Sequence, residues 1–175
     1  EVIIPCTIST DLDEVEEMGK SLDSVIGVRK DMGWGQYDIV LVYAGSDAGW
    51  QSFDLLKKIF THFLQADNRF KALFMSKEAE VVTALQEQFP DQVRRFWVPH
   101  EEVRKYLKSG DYGIMIREDS VTNRVSSPTK FAEYLSCGLR VLCSDAVGDY
   151  TNFVRKEECG SVVNDTNYND IVLTA

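Results

Sequence analysis

The sequence predicts an α/β domain built on a doubly wound, mainly parallel, six-stranded Rossmann-like sheet. Three observations carry that expectation. Short, almost wholly apolar runs recur, as suits strands covered on both faces. Segments with helical apolar spacing lie between them. The connections are short, so strand passes directly to helix and back to strand. Right-handed crossovers leave few topologies, and the expected strand order is 3-2-1-4-5-6.

The opening of the chain differs from the rest. Residues 1–6 (EVIIPC) are an extended apolar run containing a proline, residues 11–20 are acidic, and residues 24–32 suit a short helix before Gly33-Trp34-Gly35. The chain also begins without Met. Residues 1–38 are therefore read as an interdomain linker and helical lead-in, cut from a larger polypeptide, and residues 39–175 as the Rossmann-like domain. The first strand is IVLVYA at 39–44, broken by Gly45-Ser46-Asp47-Ala48-Gly49. Residues 50–64 place Phe53, Leu56, Ile59, Phe60 and Phe63 on one helical face. A strand at 70–75 and a helix at 77–89 follow, the helix stopped by Pro90. Residues 93–98 are the third strand, 100–107 a short helix ended by Ser109-Gly110, and 112–117 (YGIMIR) the fourth strand.

A polar stretch, 118–127, precedes Pro128, whose missing N–H suits the first position of a helix. That helix runs to Cys137 and closes at Gly138, a natural C′ residue. Residues 139–143 are the fifth strand. A loop through Gly148 leads to a helix at 149–156 and a last strand at 161–163.

The 175 residues are 44% apolar and 27% charged, with 19 basic against 28 acidic side chains and a formal net charge of −9. That balance argues against nucleic acid as a partner. No apolar run reaches the roughly 18–20 residues needed to span a bilayer. None of Cys6, Cys137, Cys143 and Cys159 forms a CxxC pair, so they read as reduced, buried thiols of a cytoplasmic protein. His62 and His100 leave little material for a histidine metal site.

In an open doubly wound sheet the ligand crevice lies outside the carboxyl ends of the strands, where strand order reverses. Here the loops leaving strands one and four, at 45–49 and 118–127, flank that point. The helix opening at Pro128 turns its positive end toward it. Ser126, Ser127 and Thr129 add hydroxyls and Lys130 a cation. Glu133, one turn on from Thr129, can accept from the vicinal hydroxyls of a ribose. Phosphate at the helix end with a diol one turn along describes a nucleoside diphosphate. The competing interpretation is purely structural: Ser127 caps the helix, Lys130 and Glu133 pair at i,i+3, and nothing binds. The first strand is followed by neither a GxGxxG nor a GxxxxGK[ST] loop, which disfavours a nicotinamide dehydrogenase and a P-loop NTPase. Glu118 and Asp119 follow strand four, but without partners they are not taken as a metal site. Trp34, Trp50 and Trp97 are read as packing residues.

The run Ser127-Pro128-Thr129-Lys130-Phe131-Ala132-Glu133-Tyr134-Leu135-Ser136-Cys137-Gly138-Leu139-Arg140-Val141-Leu142 resembles the "SPxKxxEYLAxGxPVI" block of the C-terminal domain of GT-B glycosyltransferases of the group 1, family 4 type. The resemblance extends over most of the chain. Residues 2–6 resemble the interdomain "VIPNGVD" segment, 28–45 resemble "xRxxLGWxxxxxVLxYxG", and 50–56 (WQSFDLL) resemble "WKGFDLL". Residues 110–116 resemble the "ADxGI" strand, and Gly148-Asp149 falls in the glycine-rich loop after strand five.

The resemblance implies one half of a GT-B fold that binds a nucleotide-sugar donor such as UDP- or GDP-hexose. The acceptor-binding N-terminal domain would be missing from this chain, leaving the fragment alone inactive. It implies that Glu133 holds the ribose hydroxyls, as the second carboxylate of an E-x7-E motif. Ser126, Ser127, Thr129 and Lys130, with Gly45 and Ser46 at the facing loop, would cradle the pyrophosphate. It further implies a retaining transfer without a metal, in bacterial surface polysaccharide synthesis, with any contact to the inner membrane face made through the missing part. No catalytic residue is assigned. Three positions depart from the pattern. Val125 stands where the first motif Glu would be. Ser46 and Gln51 stand where phosphate-clamping Arg and Lys would be, leaving that charge to Lys130 and Arg117. His100 resembles part of a "V(P)xxE" loop at the rim of the base. Those departures keep a non-catalytic GT-B-like interaction domain as the alternative, with half of a sugar-nucleotide epimerase as a third reading.

Overall fold

The computed structural model describes residues 22–45 and 52–174. Ser46, Gln51, Trp50, Cys6 and the segment 1–21 therefore lie outside the described residues. The apolar runs form six strands: β1 (Ile39–Ala44), β2 (Phe70–Met75), β3 (Val93–Phe96), β4 (Tyr112–Met115), β5 (Arg140–Ser144) and β6 (Gly160–Val163). They make one sheet in the order β3-β2-β1-β4-β5-β6, every neighbouring pair parallel. The expected order holds, and its reversal point falls between β1 and β4.

Between them run α1 (Leu22–Asp31), α2 (Phe53–Ala66), α3 (Glu80–Gln88), α4 (His100–Leu107), α5 (Val121–Arg124), α6 (Thr129–Ser136) and α7 (Asp149–Lys156), with a 3-10 turn at Tyr168–Asp170. Because strand side chains alternate, β1 feeds two cores. Ile39, Leu41 and Tyr43 pack with Leu56, Ile59 and Phe60 of α2 and Leu85 of α3. Val40, Val42 and Ala44 pack on the opposite face with Val28 of α1, Leu107 of α4, Tyr134 of α6 and Val154 of α7. Trp34 is also buried there, its Nε1 donating to the Asp91 carbonyl at 3.4 Å.

The lead-in helix is tied to the domain by one residue. Arg29, 4% exposed, donates from Nε to the Ser109 carbonyl at 2.9 Å and from Nη1 to the Asp38 carbonyl at 2.9 Å. Its Nη2 meets Asp111 Oδ2 at 2.7 Å, and the same carboxylate oxygen accepts from the Val40 N–H at 2.8 Å. A single guanidinium thus joins α1, the start of β1 and the start of β4.

Several boundaries differ from expectation; β3, expected to reach residue 98, ends at Phe96. Pro128 has φ −72° and ψ 120°, so it is the cap residue before α6 and not its first turn. β4 pairs only through Met115, two residues short of the expected end at Arg117. At the other end of α6 the sequence rule holds. Gly138 takes φ +74°, its N–H bonds to the Leu135 carbonyl, and the Leu139 N–H bonds to the Tyr134 carbonyl, both at 3.0 Å. This is a Schellman closure.

At the reversal point β1 and β4 pair only at Leu41–Tyr112 and Val42–Gly113. Beyond that the strands part, and the fully buried Tyr134 bridges them. Its hydroxyl accepts from the Ala44 N–H at 3.2 Å and donates to the Ile114 carbonyl at 3.3 Å. Burial holds that phenol far above its ordinary pKa, so it stays a donor. Gly113 makes room for the ring: a Cβ there would lie 2.3 Å from Tyr134 Cγ. Gly113→Ala is therefore expected to cost about 1–3 kcal/mol, the range for overpacking. Thermal unfolding checks it, with a fall in Tm expected.

Candidate functional site

The site assembles where the carboxyl ends of β1 and β4 meet the amino end of α6. Lys130, on the first turn of α6, leans back over the end of β1. Its Nζ lies 2.6 Å from where a Gly45 Cβ would be, and 6.0 Å from the centroid of the Tyr43 ring. A side chain at 45 would displace the ammonium from its place over the end of β1. Burial, and after it the nearby Arg117, hold the Lys130 ammonium below the ordinary lysine value, with Glu133 pulling the other way.

Arg117 follows β4 and is held through both its backbone and its side chain. Ser144 Oγ accepts from its N–H at 2.9 Å and donates to its carbonyl at 3.0 Å. Its Nη1 donates to Ser126 Oγ at 3.0 Å and to Asn123 Oδ1 at 3.3 Å. Its Nε is buried with no hydrogen-bond partner, and desolvation lowers the pKa of the guanidinium. Neither Lys130 nor Arg117 forms an ion pair with a carboxylate among the described residues. Two desolvated cations, one of which lowers the proton affinity of the other, suit an anion.

Loop 118–127 shapes this arrangement. α5, a single turn, starts at Ser120, whose hydroxyl accepts from the Asn123 N–H at 3.2 Å. Asn123 is 1% exposed and its amide donates to the Glu118 carbonyl at 2.8 Å. Ser126 is committed inward, since besides serving Arg117 it donates to the Asn123 carbonyl at 2.8 Å. Ser127 is bonded to Tyr150 of α7, with 2.5 Å between the oxygens. Thr129 is exposed on the first turn of α6. Glu133 is half-buried, and its carboxylate makes no ion pair or hydrogen bond among the described residues.

The i,i+3 pair of the purely structural interpretation is not formed, since no ion pair joins Lys130 to Glu133 among the described residues, and Pro128 stands at the cap position of α6. Lys130 lies over Gly45 and feels the charge of Arg117, while the hydroxyls of Ser126 and Ser127 are engaged by their neighbours. Ser46 lies outside the described residues.

Two further features sit on either side. Toward β5 and β6 an open cleft of about 400 Å³ is lined by Arg117, Glu118, Asp119, Asp145 and Asp165, among others. Its Asp119 is taken by Arg124, whose Nε and Nη2 lie 2.6 and 2.7 Å away and hold the carboxyl below its usual value. Among the described residues no group of three or more His, Cys, Asp or Glu is placed to hold a metal ion. Toward β3, Trp97 is 64% exposed with Lys77 Nζ 5.8 Å from its ring centroid, so it does not pack in the core as expected. Between Trp97 and Gly45 at the strand ends lies Ser76, 3% exposed, its Oγ without a partner.

No family model matches the chain, and no curated protein matches it in sequence. Solved structures do. WaaG, described as a glycosyltransferase involved in lipopolysaccharide biosynthesis, superposes with a TM-score of 0.69 at 17% identity, over 97% of this chain and 45% of its own. Anabaena HepE, solved with UDP-glucose, gives 0.63 at 13% identity over 85% and 40%. This is one half of a GT-B fold. The C-terminal domain of a glycosyl transferase group 1 family protein (LpcC) from Francisella tularensis gives 0.56 at 10% identity, over 83% of this chain and 76% of its own. The GT-B half therefore spans less than half the length of WaaG and HepE. No helix among its described residues is long and apolar enough to cross a membrane.

Sequence reasoning missed two residues of the GT-B half. Asn123 sits in a polar stretch with no period, so nothing marked it as buried. Tyr150 lies 23 residues from the serine it holds, and only the fold brings them together.

Proposed function

We propose that this chain is the donor-binding domain of a glycosyltransferase that moves a hexose from a nucleoside diphosphate to an acceptor. One observation carries the reading. Lys130, set over Gly45 at the point where strand order reverses, and Arg117, whose charge it feels, are both partly desolvated and form no ion pair with a carboxylate among the described residues. As the glycosidic bond breaks, negative charge grows on the departing diphosphate. Lys130, Arg117 and the first-turn N–H groups of α6 are fixed in place to stabilise it, the largest usual term in such catalysis. No residue is assigned as a catalytic acid or base.

The placement of Glu133 orients the ligand. It shares a face of α6 with Cys137, four residues on, and Cys137 senses Arg104 and Lys108 of the α4 region. In this proposal its carboxylate looks toward α4. A ribose held there directs the base toward Trp97 and His100. The similarity of WaaG and HepE to this chain supports the same reading, as does the UDP-glucose in HepE. A retaining outcome and a role in bacterial surface polysaccharide synthesis form part of the proposal.

Calorimetric titration with UDP and GDP tests it, using wild type and Glu133→Ala. Loss of two hydroxyl hydrogen bonds to a charged acceptor, about 3 kcal/mol or more, is expected to weaken binding at least about 100-fold. Unchanged affinity in the variant removes the ribose role. Val125, 79% exposed where the resemblance has an acid, favours the alternative of a non-catalytic interaction domain. A wild-type chain whose Tm does not move with millimolar UDP or GDP decides for that alternative.

A further inference from the structure

Arg117 stands two residues past the end of β4, and pairing of β4 with β5 ends at Met115–Cys143. The strand ladder therefore does not fix the chain at Arg117. One hydroxyl does. Ser144 Oγ, on the last residue of β5, accepts from the Arg117 N–H at 2.9 Å and donates to the Arg117 carbonyl at 3.0 Å. A single side chain, on a residue 3% exposed, thus holds both backbone groups of one residue. Ser144 is held in turn from α7, since its carbonyl accepts from Thr151 Oγ1 at 3.4 Å. Arginine is long and rotamer-rich, so where its guanidinium can reach depends on how firmly its backbone is set. From this anchor Arg117 Nη1 reaches Ser126 Oγ at 3.0 Å, on the segment that leads into α6.

We infer that Ser144 is a positioning residue: its hydroxyl holds the backbone of Arg117 so that the guanidinium serves a phosphate oxygen together with Lys130, a role that rests on the donor-site reading above. Without the hydroxyl, the Arg117 N–H and carbonyl lose that partner and the residue can turn. The open cleft that Arg117 lines offers it water and the carboxylates of Glu118, Asp145 and Asp165. A guanidinium that is desolvated where it stands gains by that move. Its charge then leaves the neighbourhood of Lys130.

The test uses Ser144→Ala, Arg117→Met and the double variant. Binding of inorganic pyrophosphate is expected to weaken about ten-fold in Ser144→Ala, as a misplaced cation predicts. In the Arg117→Met background the same substitution should cost nothing further, because the residue it acts through is gone. In the ligand-free protein, NMR titration follows the Lys130 ammonium. Its midpoint is expected to rise in Ser144→Ala, as it does in Arg117→Met, since a neighbouring positive charge has withdrawn while burial and Glu133 still act. Ser144→Cys keeps the volume with a poor hydrogen-bonding group, should give the same two results, and serves if the alanine variant does not fold. A Lys130 midpoint unmoved from wild type overturns the inference whether or not pyrophosphate binds. So does a weakening that persists at full size once Arg117 is replaced. If wild type binds no pyrophosphate yet the midpoint rises in Ser144→Ala, Ser144 places Arg117 as inferred and the donor-site reading is what fails.

Discussion

Lys130→Met is expected to remove most of the chain's affinity for a nucleoside diphosphate while leaving its Tm unchanged or higher. The two halves of that result have separate causes. A hydrogen bond to a charged group contributes about 1.5–3 kcal/mol, so losing the ammonium weakens binding about 10–100-fold. In the free protein the same ammonium is a burden, since it is desolvated and lies near Arg117 with no ion pair in return. An apolar chain of similar length keeps the packing and removes that burden. The pH dependence has a definite sign. The folded pKa is lowered from the ordinary lysine value of 10.5, so between the lowered value and 10.5 the unfolded chain binds more protons than the native one. Stability therefore rises with pH across that window, while diphosphate affinity falls as the cation is lost. Isothermal titration and thermal melts from neutral to alkaline pH read both trends, and Lys130→Met should abolish each. A variant that melts much lower and binds as well as wild type would assign Lys130 to the fold instead of the ligand.

The largest loss of stability is expected at the far end of the sheet, from Asp111→Ala. Arg29 Nη2 would lose its 2.7 Å partner while remaining almost wholly buried, and the Val40 N–H would lose its acceptor at the start of the central strand. Breaking one side of a buried pair typically costs about 3–5 kcal/mol, because the remaining charge has nowhere to go. Urea unfolding should show a lower midpoint with little change in slope. Because the site lies at the opposite, carboxyl edge of the strands, diphosphate affinity of the folded fraction should hardly change. A loss below about 1 kcal/mol would mean that the Ser109 and Asp38 carbonyls alone satisfy the guanidinium.

The fold was legible because its signals are local and redundant. β1, β2, α4 and α7 occupy the residues that apolar runs, Pro and Gly mark, and Gly138 closes α6 as its backbone freedom demands. Where the signal is not local, reading fails. α5 is one turn long, too short to show a period, and Asn123 is buried by what surrounds it and not by its own chemistry. Pro128 and Ser127 look like a helix start by sequence rules, yet a tyrosine from another element claims the serine. Trp97 reads as a packing residue by type, but β3 stops at Phe96 and leaves the indole in solvent. At the site, Lys130 and Gly45 were legible from the resemblance and the strand end. The part of Arg117 depends on Ser144 and Asn123, which sequence spacing does not connect to it.

The bridging phenol of Tyr134 also fixes where α6 can sit. Its oxygen must reach one amide on β1 and one carbonyl on β4 at once, which sets both the rotation of the helix about its axis and its height above the strands. Lys130, one turn earlier, and Glu133, the residue before, inherit that setting. Tyr134 thus works as a depth stop for its helix: Tyr134→Phe would keep the ring over Gly113, yet let the helix slide and the cation drift off its mark.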